Sequence, residues 1–88
     1  MKLKSDLILR QVADTWVVLP MTRDVLSFNG IVRLNESGAL LWNVLKETED
    51  RQAMVNALVQ EFGIEKQIAE TDVDEFVNVL GNAGCLEE

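Results

Sequence analysis

Few side chains in this 88-residue chain could do covalent or metal chemistry. Histidine, the commonest general base and metal ligand at neutral pH, is absent, and so is tyrosine. Cys85 is the only thiol; with no imidazole to take its proton, it reads as a small apolar core residue. A transition-metal site needs several His or Cys ligands, which one cysteine cannot supply. The five glycines, at positions 30, 38, 63, 81 and 84, are too scattered for a phosphate-cradling loop. Carboxylates are plentiful, and Asp72-Val73-Asp74-Glu75 suggests hard-cation ligands. That run lacks the loop spacing, central glycine and terminal glutamate of a helix-loop-helix calcium site, so it reads as solvated charge at a helix start. No catalytic residue, metal or cofactor is expected, and the chain is not read as an enzyme.

Charge narrows the partners. The formal net charge is −7, unevenly spread: residues 1–44 hold five Lys/Arg and four Asp/Glu, residues 45–88 three and eleven. An acidic second half repels phosphate backbones and favours a basic peptide or a basic protein face. No run approaches the roughly 18 apolar residues of a membrane span. The apolar stretch after Met1-Lys2-Leu3-Lys4 is too short for a signal-peptide core. With one cysteine no internal disulfide can form, so the cytoplasm is the expected compartment.

The apolar pattern marks the elements that would position a binding surface. Leu7–Val12 and Thr15–Leu19 are β-compatible runs joined by Ala13-Asp14, and Pro20 ends the second by removing a donor. They predict a hairpin. Between Pro20 and Gly30 the chain is irregular, with Val25, Leu26 and Phe28 expected to fold back onto the core. Asn29-Gly30 then turns into a short third strand, Ile31–Leu34.

Three helices follow. Asn35 caps the first, whose stripe is Leu41, Trp42 and Leu45, widened by Leu40 and Val44. Thr48 or Asp50 caps the second, with Met54, Val55, Leu58, Val59 and Phe62 on one face and Gly63 as its left-handed terminator. Ile64–Glu70 reads as a linker. Thr71 caps the third helix, placing Asp72, Asp74 and Glu75 in its first turn. Its stripe is Val73, Phe76, Val77 and Leu80, with Gly84 as the C-terminal stop and Leu86 tucked under the sheet or bundle. Gly81 weakens the last turn and would let neighbouring backbone come close. The result is one α+β domain over residues 1–88, winged-helix-like, with a three-stranded antiparallel sheet followed by a three-helix bundle.

Such an order can bind DNA, but two features oppose it. The presumed recognition helix opens on three acids and no base, whereas phosphate contacts carry most non-specific affinity. The eight residues from Gly63 to Glu70 also exceed a helix-turn-helix turn.

Arg33-Leu34-Asn35-Glu36-Ser37-Gly38, running into Ala39-Leu40-Leu41-Trp42, resembles the most recognisable element of the PqqD family. That element is a short strand ending in Leu-Asn, then a capped helix carrying Trp. Pro20 after a Val-rich strand, Asp50–Phe62 followed by glycine, the block Thr71–Val77, and the close from Leu80 to Gly84-Cys85-Leu86 match in order. The resemblance spans roughly residues 7 to 86. One departure is Ala13-Asp14, where members often carry glycine.

The resemblance implies a peptide chaperone, or precursor-recognition element, of pathways that modify ribosomally made peptides. A leader segment would add to the edge Ile31, Val32, Arg33 and Leu34, facing Asp72, Phe76, Val79 and Ala83 on the third helix. The partner enzyme would often be a radical-SAM protein, and either a monomer or a homodimer would fit. The alternatives are a protein–protein adaptor and a winged-helix DNA-binding regulator.

Overall fold

The computed structural model describes residues 2–21 and 32–87. The expected back-folding of Val25, Leu26 and Phe28, the Asn29-Gly30 turn and Ile31 lie outside the described residues.

Strands β1 (Lys2–Leu3), β2 (Leu7–Val12), β3 (Thr15–Pro20) and β4 (Val32–Leu34) precede helices α1 (Glu36–Glu47), α2 (Arg51–Phe62) and α3 (Lys66–Asn82); β5 (Leu86–Glu87) closes the order. The main sheet is antiparallel in the order β2-β3-β4, with Val12 opposite Thr15, Val18 opposite Val32 and Trp16 opposite Leu34. The hairpin turn is therefore just Ala13-Asp14, and Ala13 takes a positive φ of 54°. This is the left-handed region that a Cβ disfavours.

Side chains of a strand alternate faces, which sends Trp16, Val18, Val32 and Leu34 toward the helices. There they meet Leu41, Trp42 and Leu45 of α1, Met54, Val55 and Leu58 of α2, and Val73, Phe76 and Leu80 of α3 in a single core. Each fully buried Leu, Val or Met contributes about 1.5–3 kcal/mol of transfer free energy. Trp42 is part of that core, at 1% exposure.

Two helix starts follow their capping chemistry. Asn35 Oδ1 accepts the Gly38 amide at 2.8 Å, and Asp50 Oδ1 accepts the Gln52 amide at 3.0 Å. Thr48 assists the second by accepting the Asp50 amide at 3.1 Å. Helix α2 ends on Gly63 at φ 64°. Helix α3 ends on Ala83, with Gly84 left-handed (φ 79°) beyond it. There the Cys85 amide reaches the Leu80 carbonyl at 2.9 Å and the Gly84 amide reaches Gly81 at 3.2 Å. This is the paired hydrogen bonding of a Schellman motif.

The third helix departs from expectation. It begins at Lys66, not after Thr71, because Ala69 is fully buried and carries the stripe Val73, Phe76, Leu80 back by one turn. Thr71 is mid-helix, its hydroxyl donating to the Gln67 carbonyl at 3.2 Å, as threonines inside helices do. Asp72, Asp74 and Glu75 therefore lie beyond the first turn, and no side chain caps α3. The α2–α3 connection shrinks to Gly63–Glu65, so loop length no longer argues against a helix-turn-helix.

Three smaller differences complete the comparison. Phe62 is 40% exposed, outside the core. A Cβ at Gly81 would meet nothing within 4 Å, so no backbone approaches there. Leu86 pairs opposite Leu3, and Lys2 opposite Glu87, in a second sheet, β1-β5. The Lys4 amide extends it to the Cys85 carbonyl at 2.9 Å.

Candidate functional site

Strand β4 has β3 on one side and, among the described residues, no strand on the other. Among those residues no strand takes up the backbone N–H and C=O groups of its outer edge, the feature that lets a sheet accept another strand. Beside it opens a cleft of about 620 Å³, within the range of ligand sites. Its floor and near side come from Arg33, Leu34 and Asn35 at the end of β4, and from Ser37, Gly38 and Leu41 of α1. Its far wall is α3, through Asp72, Glu75, Phe76 and Val79. The hairpin turn closes one end with Asp14 and Thr15.

Local chemistry fixes these parts. Asn35 Oδ1 is occupied twice, by the Gly38 amide and by the Ser37 hydroxyl at 2.9 Å, which locks the corner where β4 becomes α1. Gly38 fits that corner because a Cβ would stand 3.1 Å from the Leu34 Cβ. On α3, residues 72, 75, 76 and 79 recur at helical spacing on the flank of the buried stripe. Phe76 faces inward, while Val79 is 49% exposed.

Among the described residues the cleft carries three carboxylates, Asp14, Asp72 and Glu75, against one guanidinium, Arg33. None of the four has a hydrogen-bonding or ion-pair partner among the described residues. The acids on the other flank of α3 are engaged. Arg51 of α2 donates to Asp74 Oδ1 at 3.0 Å and to the Glu70 carbonyl at 3.3 Å. That hydrogen bond from Arg51 to Asp74 raises the guanidinium's already high pKa. The free charge of α3 is concentrated on the cleft side.

Of the residues picked from sequence, Arg33, Leu34, Asp72, Phe76 and Val79 come together at the cleft. Val32 does not line it: its side chain is 7% exposed, in the core behind the edge. Ala83 is half-buried against the core, beyond Val79. Ile31 lies outside the described residues. Sequence reasoning did not pick Asp14, Thr15, Asn35, Ser37, Gly38, Leu41 or Glu75. Glu75 was within reach, three residues from Asp72 and four from Val79 on the same face. Asp14 and Thr15 arrive only through the register that sets Trp16 opposite Leu34.

Among the described residues no group of His, Cys, Asp and Glu is placed to hold a metal ion. Cys85 is buried and does not line the cleft, and burial pushes its thiol pKa up. No helix is long and apolar enough to cross a membrane.

A three-stranded antiparallel sheet whose β4 edge faces the third of three helices across a cleft defines a winged-helix-like α+β domain. The chain belongs to the PqqD family: the model for coenzyme PQQ synthesis protein D (PqqD) matches residues 15–86. No curated protein matches it. Two solved structures share the fold. TbiB1 in complex with the TbiA(beta) leader peptide is 23% identical over 99% of this chain and 95% of that one, with a TM-score of 0.77. A lasso peptide synthetase B1 complexed with the leader peptide is 22% identical over 99% of this chain and 96% of that one, with a TM-score of 0.76.

Proposed function

We propose that this chain, acting as one recognition domain over residues 1–88, binds the leader segment of a precursor peptide and presents it to a modifying enzyme. The observation that carries the reading is the outer edge of β4, which pairs with no strand among the described residues, beside the α3 cleft. Two proteins of the same fold, TbiB1 and a lasso peptide synthetase B1, were solved with leader peptides bound, which supports it. Backbone pairing with β4 would give register and affinity, while Leu34, Leu41, Phe76 and Val79 would receive alternate side chains. The module is non-catalytic, so the chemistry belongs to the partner enzyme, and a radical-SAM protein is the partner class we favour. A cognate leader is expected to bind at micromolar to submicromolar Kd, about −8 to −10 kcal/mol.

Titrating the isotope-labelled chain with the peptide encoded beside its gene tests this reading. Amide shifts at Arg33, Leu34 and along residues 72–79 are expected. Shifts confined to the α1–α2 connection would remove the strand-addition model. The adaptor and regulator readings gain no such support. The short α2–α3 turn is compatible with a helix-turn-helix, but α3 bears four acids and only Lys66 as a base. A salt-sensitive shift on duplex DNA would favour the regulator instead.

A further inference from the structure

A strand laid along β4 inherits the alternation of its neighbour. In a pleated sheet, side chains on adjacent strands that point to the same face lie side by side. On β4, Val32 and Leu34 point toward the core and Arg33 points away. Every second residue of an added strand would therefore face α3, and the residues between them would lie beside Arg33. These two environments are opposite in charge. The α3 side presents Asp72, Glu75 and the half-exposed Val79, with Ile68, also exposed, on the same face one turn earlier. The other side presents Arg33, the one cation that lines the cleft among the described residues. Unlike Asp74 and Glu70, which Arg51 engages, the cleft acids have no partner among the described residues.

We infer that this edge selects a charge-sided strand: basic and apolar residues at the positions facing α3, acidic or neutral residues at the alternate positions beside Arg33. The inference rests on the strand-addition reading and adds the substrate class to it. It differs from the general attraction that a chain of net charge −7 exerts on any cation. General attraction favours lysine and arginine at both parities of the strand, whereas the geometry of Asp72, Glu75 and Arg33 favours them at one.

The test is a display library of short random peptides selected on the whole chain, on Asp72→Asn/Glu75→Gln and on Arg33→Glu. The intact chain should enrich peptides with Lys or Arg two residues from an aliphatic or aromatic anchor, and Asp or Glu only at the intervening positions. The double variant should bind a synthesised winner about five- to tenfold more weakly, the scale of two exposed charge pairs. Arg33→Glu should move the preference only at the intervening positions. Basic residues at both parities, a preference unchanged in the double variant, or no enrichment would each overturn the proposal. Amide shifts from the winning peptide separate the two levels of the argument. Shifts at Val32–Leu34 without charge parity leave strand addition standing and remove the sidedness, whereas shifts away from β4 remove both.

Discussion

The carboxamide oxygen of Asn35 accepts the Gly38 amide at 2.8 Å, and a Cβ on Gly38 would stand 3.3 Å from that same oxygen. Cap and close approach are thus one device, holding the end of β4 against the start of α1. Gly38→Ala gains helix propensity but drives its methyl into Leu34, a core residue with little room to move. We expect a net loss of about 1 kcal/mol in urea unfolding, the low end of overpacking costs. A more stable variant would mean that the Leu34 side chain yields.

Ala13 should be improvable. Its φ of 54° places a Cβ in the left-handed region, at a cost of about 1–2 kcal/mol. Ala13→Gly relieves that strain while adding entropy to the unfolded chain. A gain of about 0.5 kcal/mol is expected in the urea midpoint, whereas Ala13→Val should lose stability. Glycine at this turn would meet the left-handed conformation without the Cβ clash that Ala13 accepts.

Two other glycines should behave oppositely. Gly81 lies in α3 with open space where a Cβ would go, so Gly81→Ala should stabilise by about 0.5–1 kcal/mol. Gly63 ends α2 at φ 64°, so Gly63→Ala should destabilise by about 1 kcal/mol despite equally open surroundings. Thermal melts of the pair would separate backbone conformation from packing.

Cys85 gives the fold a pH dependence. Burial raises its thiol pKa, and nearby Lys4 lowers it by less. Because the folded value exceeds the unfolded one, its contribution is complete below the ordinary thiol pKa of about 8.5 and is lost as pH rises through the folded value. Stability should fall more steeply at alkaline pH in the intact chain than in Cys85→Ala. Alkylation in native buffer should be slow and should accelerate with urea, since the buried thiol must be exposed first. Rapid native labelling would contradict that burial.

Where local chemistry decides an element, the sequence was readable. Asn35 and Asp50 as caps, Gly63 as a terminator and Ala13-Asp14 as a two-residue turn all depend on neighbours within a few positions. The start of α3 was not readable, because Ala69 is a weak apolar signal and its burial is set by tertiary packing. Phe62 misled in the other direction: its spacing fits the α2 stripe, yet the core ends before the helix does. The β1–β5 pair joins residues more than eighty positions apart through two-residue strands, too short to carry any period. The cleft divides the same way. Its α3 wall follows from helical spacing, whereas Asp14 and Thr15 reach it through sheet register, which a single strand does not encode.

The β1–β5 pairing also bears on how the domain can be wired into other proteins. Lys2 lies opposite Glu87, and neither strand contributes a residue to the cleft. A tether attached before β1 or after β5 would therefore leave from one spot and need not cross the open edge. The described ends could equally be joined by a short linker and the chain reopened at a surface turn. Topologically the fold is close to a ring, so a circular permutant should keep the cleft intact.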